Sequence, residues 1–186
     1  AKMKTVVYKP SPENIRLLAD LLRRGETVAF PTETVYGLGA DALNESAVAK
    51  IYAAKGRPGD NPLIVHLYDP AQLKDVALSA PPMAYELMSA FTPGPLTLIF
   101  RKKPEIPDCV TGGLDTVGVR FPAHTAAIRL LRETDRPVCA PSANLSTRPS
   151  PTTAQHVLAD LDGRIPAILD GGPCEVGLES TIVDVS

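Results

Sequence analysis

The chain has 186 residues, of which 44% are hydrophobic and 22% charged, and its formal net charge is −2. This balance is typical of one folded domain with a core, and it excludes a disordered or low-complexity chain. A near-neutral charge also argues against a strongly basic surface for nucleic acid. No apolar run approaches the ~20 residues that span a bilayer, and the N-terminus has no signal-peptide pattern, so we expect a cytoplasmic protein.

The cysteines and histidines do not form a metal-binding pattern. Cys109, Cys139 and Cys174 are widely spaced and include no CxxC pair. No two of the three histidines have the spacing of metal ligands. We therefore expect packed cysteines and no metal held by protein side chains.

Short β-rich runs alternate with amphipathic helical runs along the whole chain, which favours an α/β fold. Predicted strands cover residues 5–8, 27–30, 63–67, 96–100, 117–121, 138–140, 167–169 and 181–185. Predicted helices begin after Ser11, Asn44 and Asp69 and also cover 83–91, 125–133 and 152–161. The connection between 100 and 117 is too short for a helical crossover. We therefore expect one domain over 1–186 with a mixed parallel and antiparallel sheet.

The run 30–40 is the first candidate site, because a buried strand breaks there into polar residues. Thr32 and Thr34 offer hydroxyl groups to a small polar ligand. Gly37 and Gly39 are expected to let the backbone of a tight loop approach that ligand.

A second candidate is an anion-binding loop at residues 55–62. Lys55 and Arg57 flank a glycine at the end of the second helix, and a Pro/Gly turn with Asn61 follows. An arginine can fork onto two phosphate oxygens, and a lysine supplies a point charge. The loop lacks the GxxxxGK[ST] spacing of a Walker A motif.

Two strands each contain one polar residue that interrupts an apolar run. His66 lies within 63–67, where it is either a satisfied core histidine or a pocket donor. Arg120 alternates with Val117, Val119 and Phe121, so it should share the opposite face with Gly118. The missing side chain of that glycine is expected to leave room for a carboxylate or phosphate.

A fifth segment, 139–150, opens from a short strand into hydroxyl and amide side chains. Ser142, Asn144 and Ser150 have the hydrogen-bonding groups that suit a phosphate or ribose. Because no GxSxG elbow surrounds Ser142, we do not expect a covalent nucleophile. A similar polar run, with Ser180, precedes the last strand.

Together these runs resemble one known family. PTETVYGLGADA, KGRPGDNPLIVHL, GVRFP, APSANLS and LESTIVD are similar, in that order, to the YrdC-like L-threonylcarbamoyladenylate synthases. The resemblance implies a twisted mixed sheet with flanking helices around a basic cavity. It also implies condensation of L-threonine, CO2 or bicarbonate, and ATP into threonylcarbamoyl-AMP and pyrophosphate. A transferase complex then moves the product to adenosine 37 of tRNA, and direct contact of this chain with tRNA is left open.

The resemblance also assigns residues to the two substrates. The L-threonine pocket would contain Thr32, Thr34, His66, Arg120, Ala140 and Ser180. The ATP site would contain Arg57, Asn61, Thr116, Ser142, Asn144 and Ser150, with Lys55 and Arg57 acting in catalysis. Mg²⁺ would arrive with ATP, held mainly by phosphates and water. In the longer subfamily a linker and a second small domain follow, and we expect both to be absent from this chain.

Two other functions stay open at this point. An RNA-binding module without turnover would need a basic, aromatic-rich surface, which the composition does not favour. A carbamoyl-adenylate-forming carbamoyltransferase has the same fold in hydrogenase-maturation proteins. Those proteins carry acylphosphatase and Cys-rich zinc regions, and this sequence contains neither.

Overall fold

The computed structural model of the chain describes residues 3–57, 59, 61–175 and 180–186. The strands in these ranges are β1 (Val6–Tyr8), β2 (Val28–Pro31), β3 (Tyr36–Asp41), β4 (Ile64–His66), β5 (Leu96–Arg101), β6 (Thr116–Arg120), β7 (Val138–Ala140), β8 (Ala167–Leu169) and β9 (Thr181–Asp184). The helices are α1 (Pro12–Arg23), α2 (Glu45–Lys55), α3 (Pro82–Phe91), α4 (Asp108–Thr111), α5 (Thr125–Thr134) and α6 (Ala154–Leu161). A 3-10 helix covers Pro70–Asp75. None of the described helices has the length and apolar character that a membrane crossing requires.

The described strands form one sheet in the order β1-β8-β2-β3-β7-β4-β6-β5-β9. The pairs β1/β8, β2/β8, β4/β6 and β5/β9 are parallel. The other neighbours are antiparallel, including β5 and β6, which the short connection 101–116 joins. The prediction of a mixed sheet with flanking helices is therefore confirmed.

Local capping explains where the first two helices begin. The Ser11 hydroxyl accepts a hydrogen bond from the Asn14 N–H at 3.1 Å, and Pro12 occupies the first helical position. The Asn44 side-chain oxygen caps α2 in the same way, and Gly56 ends that helix in the left-handed conformation at φ 69°. Both starting points agree with the sequence prediction.

The strand β3 is the main error of the sequence prediction, which expected a ligand-facing loop there. All six of its residues are buried, and it pairs with β2 and β7. A Cβ on Gly39 would lie 2.7 Å from the Phe30 ring and 2.9 Å from Val138, so this glycine makes room for packing. A strand buried on both faces shows no alternation, and its glycines resembled a turn. The short helix α4 was also not predicted.

The two faces of the sheet are covered to different extents. The larger core lies on one face and includes buried residues of α2, α3 and α6. On the other face α1 and α5 pack against β2, β7 and β8. Beyond β7 this second face becomes accessible: Ile64, Ile99 and Gly118 are half-buried, and Ile182 of β9 is 63% exposed. The predicted polar residues of β4 and β6, which are His66, Thr116 and Arg120, lie on this face.

Candidate functional site

Strand register brings the predicted residues of β4, β6 and β7 together. His66 pairs with Arg120 on one side and with Val138 on the other. The next row on the same face contains Ala140, Ile64 and Gly118. The sheet therefore places three members of the predicted L-threonine set side by side.

Arg120 lies as the alternation in β6 predicted. Val117, Val119 and Phe121 are in the core, and Arg120 lies on the opposite face with only 8% exposure. Its Nη2 donates to Glu33 Oε1 and, at 3.1 Å, to Thr34 Oγ1. Its Nε is buried and has no hydrogen-bond partner among the described residues.

Thr32 and Thr34 form the tip of the hairpin between β2 and β3. The Thr32 hydroxyl donates to the Val35 carbonyl at 2.7 Å and accepts from the N–H groups of Thr34 and Val35. The two hydroxyl oxygens are 3.1 Å apart. Because Thr32 has already used its proton, Thr34 is the donor between them. The hairpin tip thus holds a hydroxyl directly beside the Arg120 guanidinium.

Glu33 has no role among the sequence predictions, yet its carboxylate is a central group of the site. One oxygen accepts from Arg120, and the other accepts from the Ala123 N–H at 2.5 Å. Its side chain is only 11% exposed. The available signal was a carboxylate between two threonines in a chain with a predicted anion-binding arginine.

His66 is buried and neutral. Burial, followed by the charge of Arg120, lowers the pKa of His66 to about 3. Nδ1 lies 3.1 Å from the Ile64 carbonyl, so it carries the proton of the neutral ring. The ring also meets Phe30 edge to face, with centroids 5.8 Å apart. The ring is therefore hydrogen-bonded in the core and adjoins Arg120, and its role in a ligand pocket stays a prediction.

Lys55 has a positioning role that its sequence context did not indicate. Its ammonium donates to the carbonyls of Ser142 and Asn144 at 2.6 and 2.8 Å and to Asn144 Oδ1 at 2.9 Å. Burial, followed by the charge of Arg57, lowers the pKa of Lys55 to about 8. All three N–H bonds are therefore used within the protein, and Lys55 ties α2 to the segment after β7.

Arg57 is incompletely paired among the described residues of this region. The guanidinium lies over the Tyr52 ring at 5.9 Å from its centroid, and Nε is buried without a hydrogen-bond partner in the described part of the chain. The Asn61 carbonyl accepts from the Tyr52 hydroxyl at 3.2 Å. Pro58 and Asp60 of this loop lie outside the described residues.

The segment 142–150 forms a hydrogen-bonded shelf, which we call the 142–150 shelf. The Ser142 hydroxyl donates to Asn144 Oδ1 at 2.6 Å, and Asn144 Nδ2 donates to the Arg148 carbonyl at 2.5 Å. Ser150 is exposed, and the next residue, Pro151, accepts from the Tyr36 N–H at 2.9 Å. The shelf therefore runs beside β3 with Ser142 and Ser150 accessible.

The two remaining predictions concern Ser180 and Gly118. Ser180 is exposed and directly precedes β9, but residues 176–179 before it lie outside the described ranges. At Gly118 a Cβ would lie 2.9 Å from Ile64 Cδ1 and 3.3 Å from Thr97 Cγ2, so these two side chains fill the position next to the backbone. Room for an anion on this face stays a prediction.

One member of each predicted set lies on β6, and the two mark opposite ends of one face of the sheet. Thr116 and Arg120 are four residues apart on β6 and share that face, so they are separated by about 13 Å. Asn61 precedes β4, and Arg57 and Lys55 precede Asn61, which puts these residues on the Thr116 side. The arrangement offers one guanidinium at each end. It can hold two anionic groups of different ligands at a limited separation.

No three His, Cys, Asp or Glu side chains of the described ranges lie close enough to hold a metal ion. Whether protein side chains hold Mg²⁺ stays a prediction, because Asp60 and Glu179 lie outside the described ranges. The predicted basic character of the cavity stays a prediction, because Glu33 and the shelf oxygens already pair with two of its three cations.

Comparisons with known proteins agree on one family. The Sua5/YciO/YrdC family model, described as Telomere recombination, matches residues 20–186. A Threonylcarbamoyl-AMP synthase of Bacillus subtilis is 59% identical over 166 residues, which cover 89% of this chain and 48% of that protein. A Threonylcarbamoyl-AMP synthase of Pyrococcus abyssi is 53% identical over 172 residues, which cover 92% of this chain and 51% of that protein.

Solved structures give the same relationship. The structure of P. abyssi Sua5 complexed with L-threonine aligns with a TM-score of 0.91 and 50% identity, over 100% of this chain and 54% of that chain. Escherichia coli YciO aligns with a TM-score of 0.84 at 22% identity, over 99% of this chain and 91% of that chain, which supports the fold alone. The chain spans about half the length of these two curated synthases.

Proposed function

The chain belongs to the Sua5/YciO/YrdC family, and we propose that it forms threonylcarbamoyl-AMP and pyrophosphate from L-threonine, CO2 or bicarbonate, and ATP. Relatives named Threonylcarbamoyl-AMP synthase, at up to 59% identity, support this activity. The L-threonine in the P. abyssi complex supports the amino-acid substrate.

One observation carries the proposal. Arg57 Nε and Arg120 Nε are the two buried side-chain polar atoms that lack a hydrogen-bond partner among the described residues. A buried N–H without an acceptor costs about 1–3 kcal/mol. Both belong to arginines that the family resemblance assigned to anions. A carboxylate at Arg120 and a phosphate at Arg57 would each supply the missing acceptor.

At the amino-acid end, several groups of the protein match L-threonine. Arg120 would hold the carboxylate, and the Thr34 hydroxyl oxygen, which Thr32 holds in place, would accept a hydrogen bond from the substrate hydroxyl. A neutral His66 adds no charge to this pocket. A ligand that lacks a hydroxyl cannot make this hydrogen bond and loses its contribution to binding. Alanine should therefore be a poor substrate.

At the nucleotide end, the protein would position ATP and supply charge. Arg57 would fork onto phosphate oxygens, and the accessible groups of Ser142, Ser150, Asn61 and Thr116 would bind phosphate or ribose. Asn144 and Lys55 would act through the 142–150 shelf, which they hold in place. Lys55 is therefore proposed as a positioning residue.

The chemistry requires no nucleophile from the protein. The neutral threonine amine adds to the carbon of CO2 and releases one N–H proton to solvent, which gives a carbamate. A carbamate oxygen then attacks the α-phosphorus of ATP, and the bond to the bridging oxygen of pyrophosphate breaks. Two anions must approach each other, so positioning and charge neutralisation by Arg57 and Arg120 are the contributions expected of the chain.

We also propose the wider setting. Mg²⁺ would accompany ATP, bound by its phosphates and water, since the described residues form no metal cage. The product would pass to a tRNA threonylcarbamoyl transferase complex in the cytoplasm. Direct contact of this chain with tRNA is open.

The test is pyrophosphate release from ATP with bicarbonate and Mg²⁺, with and without L-threonine. Serine and alanine replace threonine in parallel reactions, and calorimetry measures binding of ATP and threonine. The variant Arg57→Ala should lower threonine-dependent release about 10- to 100-fold, the size expected for one charge-assisted hydrogen bond. Arg16→Ala is the matched control, because Arg16 is exposed on α1, away from the site.

Each outcome has a clear meaning. Threonine-dependent release that Arg57→Ala reduces and Arg16→Ala retains supports the synthase activity and its phosphate site. Binding of both ligands without release would mean that the site binds but does not turn over in this chain alone. If neither release nor binding occurs, while salt-dependent RNA binding does, the synthase proposal fails in favour of an RNA-binding module.

A further inference from the structure

The site for the substrate carboxylate is already occupied by a carboxylate of the protein. A guanidinium offers a carboxylate two forks, Nε with Nη2 and Nη1 with Nη2. Both forks use Nη2. In this structure the two hydrogens of Arg120 Nη2 are directed to Glu33 Oε1 and Thr34 Oγ1. An incoming carboxylate can therefore reach either fork only if one of these protein groups leaves.

Glu33 occupies a position that is built for a carboxylate. Its second oxygen accepts from the Ala123 main-chain N–H at 2.5 Å. Both carboxylate oxygens of Glu33 therefore have donors, and the same two donors could bind the carboxylate of a ligand. Glu33 and Arg120 are also poorly exposed, with side chains at 11% and 10%. The Arg120 guanidinium and the Ala123 main-chain N–H together form the carboxylate site.

Of the two protein groups, Glu33 is the one with a route away from Arg120. It lines a cleft of about 530 Å³ whose other walls include Pro93, Ala123, His124 and Glu175. A rotation of the Glu33 side chain into this cleft would return its charge to water. Thr34, in contrast, is bonded to Thr32 within the hairpin tip and has a hydroxyl that can remain as a partner of the ligand.

We propose that Glu33 is an internal competitor that occupies the Arg120 carboxylate site in the ligand-free protein and is displaced when the amino acid binds. The inference rests on the proposed function to the extent that the ligand is an amino acid bound through Arg120. As a consequence, Glu33 lowers the affinity of the site for any carboxylate ligand. A ligand must displace Glu33 from Arg120, so it needs contacts in addition to those of its carboxylate. Removal of Glu33 should tighten binding.

The test measures the dissociation constants of L-threonine and of acetate, by calorimetry and by amide chemical shifts, in the wild-type chain and in Glu33→Gln. The amide is isosteric with the carboxylate and lacks its charge. Both ligands should bind about tenfold more tightly to the variant, which is the size expected when one charge-assisted hydrogen bond no longer competes. Glu175→Gln is the matched control, because it removes one negative charge from the same cleft without touching Arg120. It should change both constants less than twofold.

A second variant covers the case in which Glu33→Gln does not fold. Glu33→Asp keeps the charge but is one methylene shorter, so it cannot bridge Arg120 and Ala123, and it should also tighten binding. Unchanged or weaker carboxylate binding in the folded variants would overturn the proposal and make Glu33 a support for Arg120. If acetate binds more tightly in Glu33→Gln while threonine binds to neither protein, the competitor role stands and the proposed substrate fails.

Discussion

Three cationic side chains lie in or near the candidate site, and they differ in their contacts. They are Lys55, Arg57 and Arg120. Lys55 is 2% exposed and donates three hydrogen bonds to the 142–150 shelf. Arg120 is paired with Glu33, and Arg57 stacks on Tyr52. The two arginines keep an N–H without a described partner. At the scale of single residues, the two arginines are therefore the groups available to bind anions, and the lysine positions the 142–150 shelf.

His66 makes the stability of the protein depend on pH in the acidic range. Burial lowers the pKa of its ring from the ordinary value of 6.5 to about 3. As the pH falls below 6.5, His66 becomes protonated in the unfolded chain but stays neutral in the folded chain. His66 therefore contributes stability that is present above pH 6.5 and is lost as the pH falls towards 3. The loss is about 1.4 kcal/mol per pH unit for one proton.

Urea unfolding at pH 7, 6, 5 and 4 measures this effect. In His66→Gln the free energy of unfolding should fall less steeply than in the wild-type chain, whatever its value at pH 7. His156→Gln is the control, because His156 is exposed, and it should keep the wild-type slope. Identical slopes in His66→Gln and the wild-type chain would contradict a neutral, buried His66.

At the scale of elements, Lys55 joins the end of α2 to the 142–150 shelf across 87 and 89 positions of sequence. Lys55→Met keeps the length of the side chain and removes the three donors. We expect the free energy of unfolding to fall by about 3 kcal/mol, because buried carbonyl groups lose their partners. ATP binding should weaken more than L-threonine binding, since the shelf lies at the nucleotide end. Denaturant unfolding and calorimetry with each ligand give the two readouts.

Lys50→Met is the matched control on the same helix. Lys50 pairs with Glu26 while 47% exposed, so its removal should change stability by less than about 1 kcal/mol. Equal loss of affinity for both ligands in Lys55→Met would mean that the lysine supports the whole domain instead of the nucleotide end.

At the scale of the whole molecule, stability should decrease from the centre of the sheet to β9. β7 is buried and lies between β3 and β4, whereas β9 lies at the edge beside β5 and is mostly exposed. Local opening costs least where few apolar contacts are lost. Amide hydrogen exchange should therefore be at least about a hundredfold faster in β9 than in β7. Equal protection of the two strands would show that the sheet opens only as one unit.

Much of the architecture was predictable because its causes are local. Ser11 and Asn44 cap the helices that follow them, and turn residues bound most strands. Alternation placed Arg120 opposite Val119. The prediction failed at β3, where a fully buried strand has no alternation and Gly39 serves the packing of Phe30. It also did not anticipate that Ile64 and Thr97 fill the position of a Cβ at Gly118.

The sequence by itself determined most of the elements, the mixed sheet, and the family through five ordered motifs. Only the tertiary structure decided the partners of the charged groups. Glu33 meets Arg120 across 87 positions, and Lys55 meets Asn144 across 89. Helix caps and strand alternation depend on neighbours a few residues apart, so they can be read from the chain. Such distant contacts depend on the order of strands in the sheet, which no local interaction encodes.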